Sequence, residues 1–375
     1  MVRRIPLAKP LFDEREVAAV RRVLASGRVI QGPEVAAFEQ AMAALHGVRH
    51  AIAVSSGTTA LHVCYQALGI GPGDAVFVPS FAWPSAANVA AMIGARPVFV
   101  DVLPDTYNLD PDDLHRRIET CVQRGWGRPR AVVVVHEFGL AADLSAITPI
   151  AEQHKLVVIE DAACALGATY QGRPVGTHGR LSIFSFHPRK AITTGEGGAI
   201  VTNDDALAER CRSLRNHGQV VAGSSRDFIE PASNYRLTEF QAAIGRVQLE
   251  KFAEIVRARQ RVAARYLELL QGTPHVTLPH AHPEHTWQTF MVVLDDRLSR
   301  DDIVQRLSNE GVETAAGSVA GHRAQIYRER YGYEPADLPV SWRLDRQGLA
   351  LPIYCPMSED DVGHCAAALR RVCAG

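Results

Sequence analysis

Between residues 51 and 203 the chain alternates short, almost unbroken apolar runs with longer segments whose apolar positions recur every three or four residues. The runs are AIAVSS (51–56), DAVFVPS (74–80), RPVFVDV (96–102), RAVVVVH (130–136), LVVIED (156–161), LSIFSF (181–186) and GGAIVTN (197–203). Between them, TTALHVCYQALG, PSAANVAAMIGA and LSAITPIAEQHK have the spacing of amphipathic helices. Strands that are apolar on both faces are buried on both sides, so the expected architecture is α/β, a mainly parallel sheet between helices. Ligands in such sheets gather at the carboxyl ends of the strands. The polar residues closing each run are therefore the first to inspect.

A long helical pattern from Arg236 to Gly272 comes next, and beyond it the periodicity changes. A turn-rich bridge, TPHVTLPHAHPEH, leads to a strand TFMVVLD, a helix SRDDIVQRLSNEGV, a loop-rich segment, a strand LALPIYC and a last helix SEDDVGHCAAALRRV. This predicts a large domain over residues 1–250, N-terminal segment included, and a smaller α/β domain over 251–375. The helix-like DEREVAAVRRVLASG precedes the sheet and is free to pack on either.

With 47% hydrophobic and 22% charged residues the chain is ordinary globular material, long enough to enclose a real cavity. A formal charge of −1 speaks against nucleic acid or an anionic membrane surface as partner, so any anion is bound by local design. The seven cysteines are odd in number and form no C-x-x-C pair, which argues against a disulfide framework and a zinc ribbon. No apolar stretch follows the two N-terminal arginines, and no run is long enough to span a bilayer. A cytoplasmic protein with no membrane partner is the expectation.

Three strand ends carry candidate chemistry. In AVSSGTTALHV a strand turns at Gly57 and enters a helix through Thr58, where free N–H groups make an anion site and glycine lets a phosphate approach; a merely well-capped helix reads the same way. Asp161 closes LVVIED, placed either to cap the following helix or to hold a protonated heterocyclic nitrogen, while Glu160 beside it must face the other way. Lys190, in FSFHPRKAITTGEGG, is either a surface charge paired with Glu196 or an amine at the edge of an apolar pocket. In the second case desolvation lowers its pKa from about 10.4 and makes it nucleophilic. His280, His282 and His285 sit in a proline-rich bridge that reads as a solvated linker rather than a metal site.

Taken in order, IPLAKP, QGPEVAAFE, SSGTTAL, VPSFAWPSAANV, PVFVDVLPDTYNLDP, VIEDAACALGATYQGRPVGTHG, FSFHPRKAITTGEGG, LRNHG and NYRLTEFQAAIGRVQLE resemble the sugar aminotransferases of the DegT/DnrJ/EryC1/StrS family. These are pyridoxal 5′-phosphate (PLP) enzymes of fold type I. The resemblance spans nearly the whole chain and implies that Lys190 carries the cofactor as a Schiff base. It implies further that Asp161 pairs with the pyridine nitrogen and that Trp83 stacks on the ring. Gly57, Thr58 and Ser185 match phosphate contacts, and Asn234 matches an asparagine reaching the phosphate from the neighbouring subunit of a homodimer with shared active sites.

The implied reaction takes an amino group from an amino acid, glutamate by family habit, to a keto sugar attached to a nucleotide. A keto-cyclitol acceptor and a regulatory relative without turnover are the alternatives. Arg28, His322 and Tyr327 are expected contacts to the acceptor. Cys164 departs from the pattern, because many relatives carry Gln or His there to bond the cofactor's phenolic oxygen, and a thiol is the weaker donor.

Overall fold

Seven strands build the central sheet of the computed structural model, which describes residues 4–223 and 225–374. Across the sheet they run His50–Val54, Gly198–Thr202, Leu181–Ser185, Val157–Asp161, Arg128–Val135, Asp74–Pro79 and Arg96–Val100. Gly198–Thr202 is antiparallel to both its neighbours, and the remaining pairings are parallel. Side chains alternate between two cores as the pleat requires: Val76 and Val78 join Leu61, Tyr65 and Leu214 on one face, whereas Ala75 and Phe77 join Leu114, Ile118 and Ile147 on the other. The strands are apolar on both sides because helices cover both. Mixed α/β topology with a mainly parallel sheet is the architecture expected from the periodicity.

A second, antiparallel sheet of Val276–Thr277, Phe290–Leu294 and Gly348–Leu351 carries its own core, in which Phe290 and Val292 meet Leu369, Val262 and Tyr266. The helix Glu239–Leu270 serves both cores and passes residue 250 unbroken. Its front half packs on the helix Glu14–Ser26 through Ala19, Val23, Ala243 and Val247, while Val262 and Tyr266 of its back half belong to the second core. The N-terminal residues divide likewise, with Ile5 bridged to Val312 in the second core.

Three local features differ from the pattern. The strand expected through Cys355 stops at Leu351, since Pro352 has no N–H to donate to a ladder. The loop-rich segment contains the helices Gln325–Tyr331 and Pro339–Gln347. A hairpin, Gln219–Ala222 with Ser225–Phe228, forms a separate two-stranded sheet and leaves Val221, Phe228 and Ile229 exposed. No described helix is long and apolar enough to cross a membrane.

Candidate active site

The carboxyl ends of the parallel strands open into a cavity of about 410 Å³. Gly57, Thr58, Asp161, Cys164, Ser185 and Lys190 all line it, with Trp83 at its wall. Sequence positions spread over more than 130 residues thus converge because each closes, or directly follows, one strand of the same sheet.

At one end lies the start of the helix Gly57–Ala67. Ser56 caps it, its hydroxyl accepting the Thr59 N–H (3.1 Å) while the Thr59 hydroxyl accepts the Ser56 N–H (2.9 Å). Capping therefore consumes Ser56 and Thr59, leaving the N–H groups of Gly57 and Thr58 without intrahelical acceptors. The Thr58 hydroxyl is 3.2 Å from that of Ser85. A Cβ on Gly57 would come within 2.9 Å of the Ser185 Cβ, so only glycine lets the helix start lie against the strand end. Gly198 is needed for a related reason, its missing Cβ making room for the Ser56 carbonyl.

Asp161 ends its strand between Val135 and Ile183 and is almost fully buried. Burial raises its pKa, opposed by the Ala163 N–H (3.0 Å to Oδ1), Lys190 and His136. A buried carboxylate with an oxygen to spare in a cavity is suited to a cationic N–H. Glu160 points to the opposite face. There it accepts from His136 Nε2 (3.0 Å), the Gly176 and His178 N–H groups and the Ser182 hydroxyl. Burial opposes ionisation, yet these donors hold its pKa well below the usual range. Since His136 Nδ1 accepts the Ala142 N–H (3.1 Å), the ring proton is assigned to Nε2.

Lys190 follows a tight turn in which its N–H donates to the His187 carbonyl (2.8 Å), and its ammonium donates to Cys164 Sγ at 3.0 Å. The Thr193 hydroxyl donates to the Phe186 carbonyl (2.8 Å) and that of Thr194 to the Glu196 carbonyl (2.7 Å), folding the loop back on its strand. Glu196 lines the cavity, but its side chain is not the amine's partner. The expected fall in the lysine pKa is not observed. Burial does press it down, but Cys164, Asp161 and Glu137 outweigh that and raise it above the ordinary lysine value. Acidic neighbours in a partly apolar cavity, rather than desolvation alone, set the direction of the amine's titration.

Trp83 is 71% exposed, offering an open indole face at the cavity. Asn234 is exposed and outside this cavity; its carboxamide oxygen accepts the Arg236 N–H (3.1 Å). Arg28 is exposed on the turn after the first helix. His322 and Tyr327 are not brought to the cavity. His322 is buried with Nδ1 2.6 Å from the Ser80 hydroxyl, its pKa pushed down by burial to about 4, and the Tyr327 hydroxyl donates to Asn88 Oδ1 (2.6 Å) while its ring packs edge-on against Phe99. Both belong to the packing of the segment whose helices the sequence did not reveal. His285 stacks on Trp287 at 3.8 Å, and among the described residues no group of three His, Cys, Asp or Glu is placed to hold a metal.

Glu137 was not anticipated. It lies two residues past the strand Arg128–Val135, lines the cavity, and is pushed up by burial to about 8. The signal was available: it is the acidic residue just beyond another carboxyl end, in HEFG.

A model of the DegT/DnrJ/EryC1/StrS aminotransferase family matches residues 10–370. Among solved structures, a DegT DnrJ EryC1 StrS aminotransferase from Brucella abortus is 37% identical with a TM-score of 0.90, the match covering 96% of each chain. DesV from S. venezuelae, solved in complex with a ketimine intermediate, is 34% identical over 100% of this chain and 99% of its own, with a TM-score of 0.90. Helicobacter pylori PseC, an aminotransferase involved in the biosynthesis of pseudoaminic acid, is 25% identical over 99% of this chain and 100% of its own, with a TM-score of 0.93.

Proposed function

Because the chain belongs to the DegT/DnrJ/EryC1/StrS aminotransferase family, we propose that it uses PLP to move an amino group from an amino acid, L-glutamate by family habit, to a nucleotide-linked keto sugar. The observation that carries this reading is the convergence of Lys190, Asp161 and the N-terminus of the helix Gly57–Ala67 on one cavity. An amine, a buried carboxylate and an anion site are the donor set that a phosphorylated pyridine aldehyde requires. Bound there, the cofactor would supply an electron sink for breaking a carbon–hydrogen bond.

The N–H groups of Gly57 and Thr58 and the hydroxyl of Ser185 would hold the phosphate. Asp161 would keep the ring nitrogen protonated, its burial offset by that cationic partner. Trp83 would cover the ring, and Cys164 would face the phenolic oxygen as a weak donor. Lys190, once free, would carry the proton between the donor carbon and the cofactor. Asn234 would complete the phosphate site of a second copy in a homodimer. The exposed Trp83 and the exposed apolar side chains Phe228 and Ile229 at the base of the hairpin support an association that covers them.

The test is to load the enzyme with an amino group from L-glutamate alone and then add a panel of keto sugars and keto-cyclitols. Stoichiometric release of 2-oxoglutarate in a single burst is expected, followed by recovery of the original cofactor spectrum with a nucleotide-linked keto sugar. Recovery with keto-cyclitols alone would overturn the acceptor assignment, and continuous release of a decarboxylated product would overturn transamination itself.

A further inference from the structure

The peptide that carries Lys190 is held by a buried cation. Arg259, in the helix Glu239–Leu270, is 4% exposed, and among the described residues no carboxylate pairs with its guanidinium. Burial lowers its pKa to about 10. A buried charge without a counter-charge is costly unless hydrogen bonds replace its water, and here backbone carbonyls do so. Nη1 donates to the carbonyls of Trp287 (3.3 Å), Gln288 (3.1 Å) and Ile353 (3.2 Å), and Nη2 to the carbonyl of Lys190 itself (3.4 Å).

Gln288 holds the preceding peptide. Its Nε2 donates to the Arg189 carbonyl (2.9 Å), its Oε1 accepts the Thr289 hydroxyl (3.0 Å), and its N–H donates to the Phe138 carbonyl (2.8 Å), so the carboxamide has one orientation. The consecutive carbonyls of Arg189 and Lys190 are thus held by two residues that are bonded to each other, and Trp287 and Ile353 tie that pair to the second core. We propose that Arg259 and Gln288 form a clamp that positions Lys190: they fix its backbone against the second core, and so fix where its amine, 3.0 Å from Cys164 Sγ, stands in the cavity. This deepens the reading of Lys190 given above and rests on it.

A staple for the second core alone needs less than this. The carbonyls of Trp287, Gln288 and Ile353 around Nη1 match the donors of a single lysine ammonium. Reaching the Lys190 carbonyl as well takes the rigid, two-armed fork of a guanidinium. Trp287 also holds a left-handed backbone, φ 54°, strain of the kind that collects where a site is kept in one geometry. Such placement matters to a group that carries a proton, because a displacement of about 1 Å can cost on the order of 100-fold in rate.

The test compares Arg259→Lys with wild type in the full-length protein. In the cofactor-free form, hydrogen exchange of the peptide covering residues 187–192 is followed by mass spectrometry, with the strand Val157–Asp161 as internal control. In the PLP-loaded form, the single-turnover half-reaction with L-glutamate is followed by absorbance. Arg259→Lys should keep a urea midpoint near wild type, since the ammonium still serves the second core. Exchange at the Lys190 N–H, which donates to the His187 carbonyl, should nevertheless quicken about tenfold, the worth of roughly one hydrogen bond. The half-reaction should slow about tenfold or more with the glutamate half-saturation unchanged. Gln288→Met removes the donor to the Arg189 carbonyl, should quicken the same exchange, and carries the measurement should Arg259→Lys fail to fold. Unchanged exchange in either folded variant, or a wild-type half-reaction rate in Arg259→Lys, would overturn the proposal, because a staple of the second core leaves the lysine loop and its proton transfer alone. Borohydride fixation of PLP to Lys190 is scored first on the wild type, and the exchange measurement needs no cofactor, so failure of the parent reading is distinguishable.

Discussion

Gly57→Ala is the sharpest probe of the phosphate end of the cavity. The added Cβ would sit 2.9 Å from the Ser185 Cβ and 3.4 Å from its hydroxyl. Neither side yields easily, because Gly57 is the first residue of a helix and Ser185 is paired with Gly198 in the sheet. Overpacking of this kind costs about 1–3 kcal/mol. Replacing glycine by alanine in a helix returns up to about 1 kcal/mol, so a net destabilisation of about 1 kcal/mol is expected in urea melts of the cofactor-free protein. The helix start must move to relieve the contact, and the N–H groups of Gly57 and Thr58 move with it. Loss of part of one charge-assisted hydrogen bond, about 1.4 kcal/mol, would weaken PLP about tenfold in an absorbance titration. Adding Ser185→Gly removes the opposing Cβ, so the double variant should recover about 1 kcal/mol relative to additivity. Cofactor affinity should stay low, because the Ser185 hydroxyl is gone. A Gly57→Ala protein with wild-type stability and PLP affinity would refute both the steric argument and the placement of the phosphate.

Three further outcomes are expected. Lys190→Ala should lose turnover, and borohydride should no longer fix the cofactor to the chain, while noncovalent PLP is retained through the phosphate and ring contacts; a label mapped to another lysine in the wild type would contradict the assignment. Refolding an equal mixture of Lys190→Ala and Asn234→Ala chains should restore about a quarter of wild-type activity, because half the dimers are mixed and each then has one intact site. No recovery, with subunit exchange confirmed by mass labels, would place Asn234 in its own chain's site. His285 is held by burial at a pKa of about 3, so below its unfolded value near 6.5 the unfolded state binds the extra proton and stability falls as pH drops toward 3. His285→Gln should flatten that loss by up to about 3 kcal/mol between pH 7 and 4, and urea midpoints that fall equally in both proteins would show the ring to be uninvolved.

The parts of this molecule legible in its sequence are those where one residue answers to one local rule. An apolar run that ends in Asp161 says both that the strand is buried and where its polar end lies, and strand alternation alone separates Asp161 from Glu160. The helix start at Gly57 is marked by its own cap. The domain boundary is less legible, because the helix Glu239–Leu270 satisfies two cores with one continuous apolar pattern and nothing in its spacing records the change of partner. His322 and Tyr327 stand in a segment whose short helices lack a strong period, so their burial against Ser80 and Asn88 follows from long-range packing alone.

The lysine shows why chemistry is harder to read than position. A pocket edge and a glycine-rich turn place Lys190 correctly at the cavity, and desolvation alone argues for a depressed pKa. The opposite direction arises because acidic groups from two neighbouring strand ends, Asp161 and Cys164 from one and Glu137 from the other, act on the amine. Each is ordinary in its own stretch of chain, and Glu137 sits on a turn whose left-handed Phe138 no propensity rule selects. The same parallel topology that makes the site's location predictable, by gathering every strand's carboxyl end on one edge, therefore makes its electrostatics unpredictable from any single stretch. The titration of Lys190 is a property of the sheet's strand order and is carried by no motif.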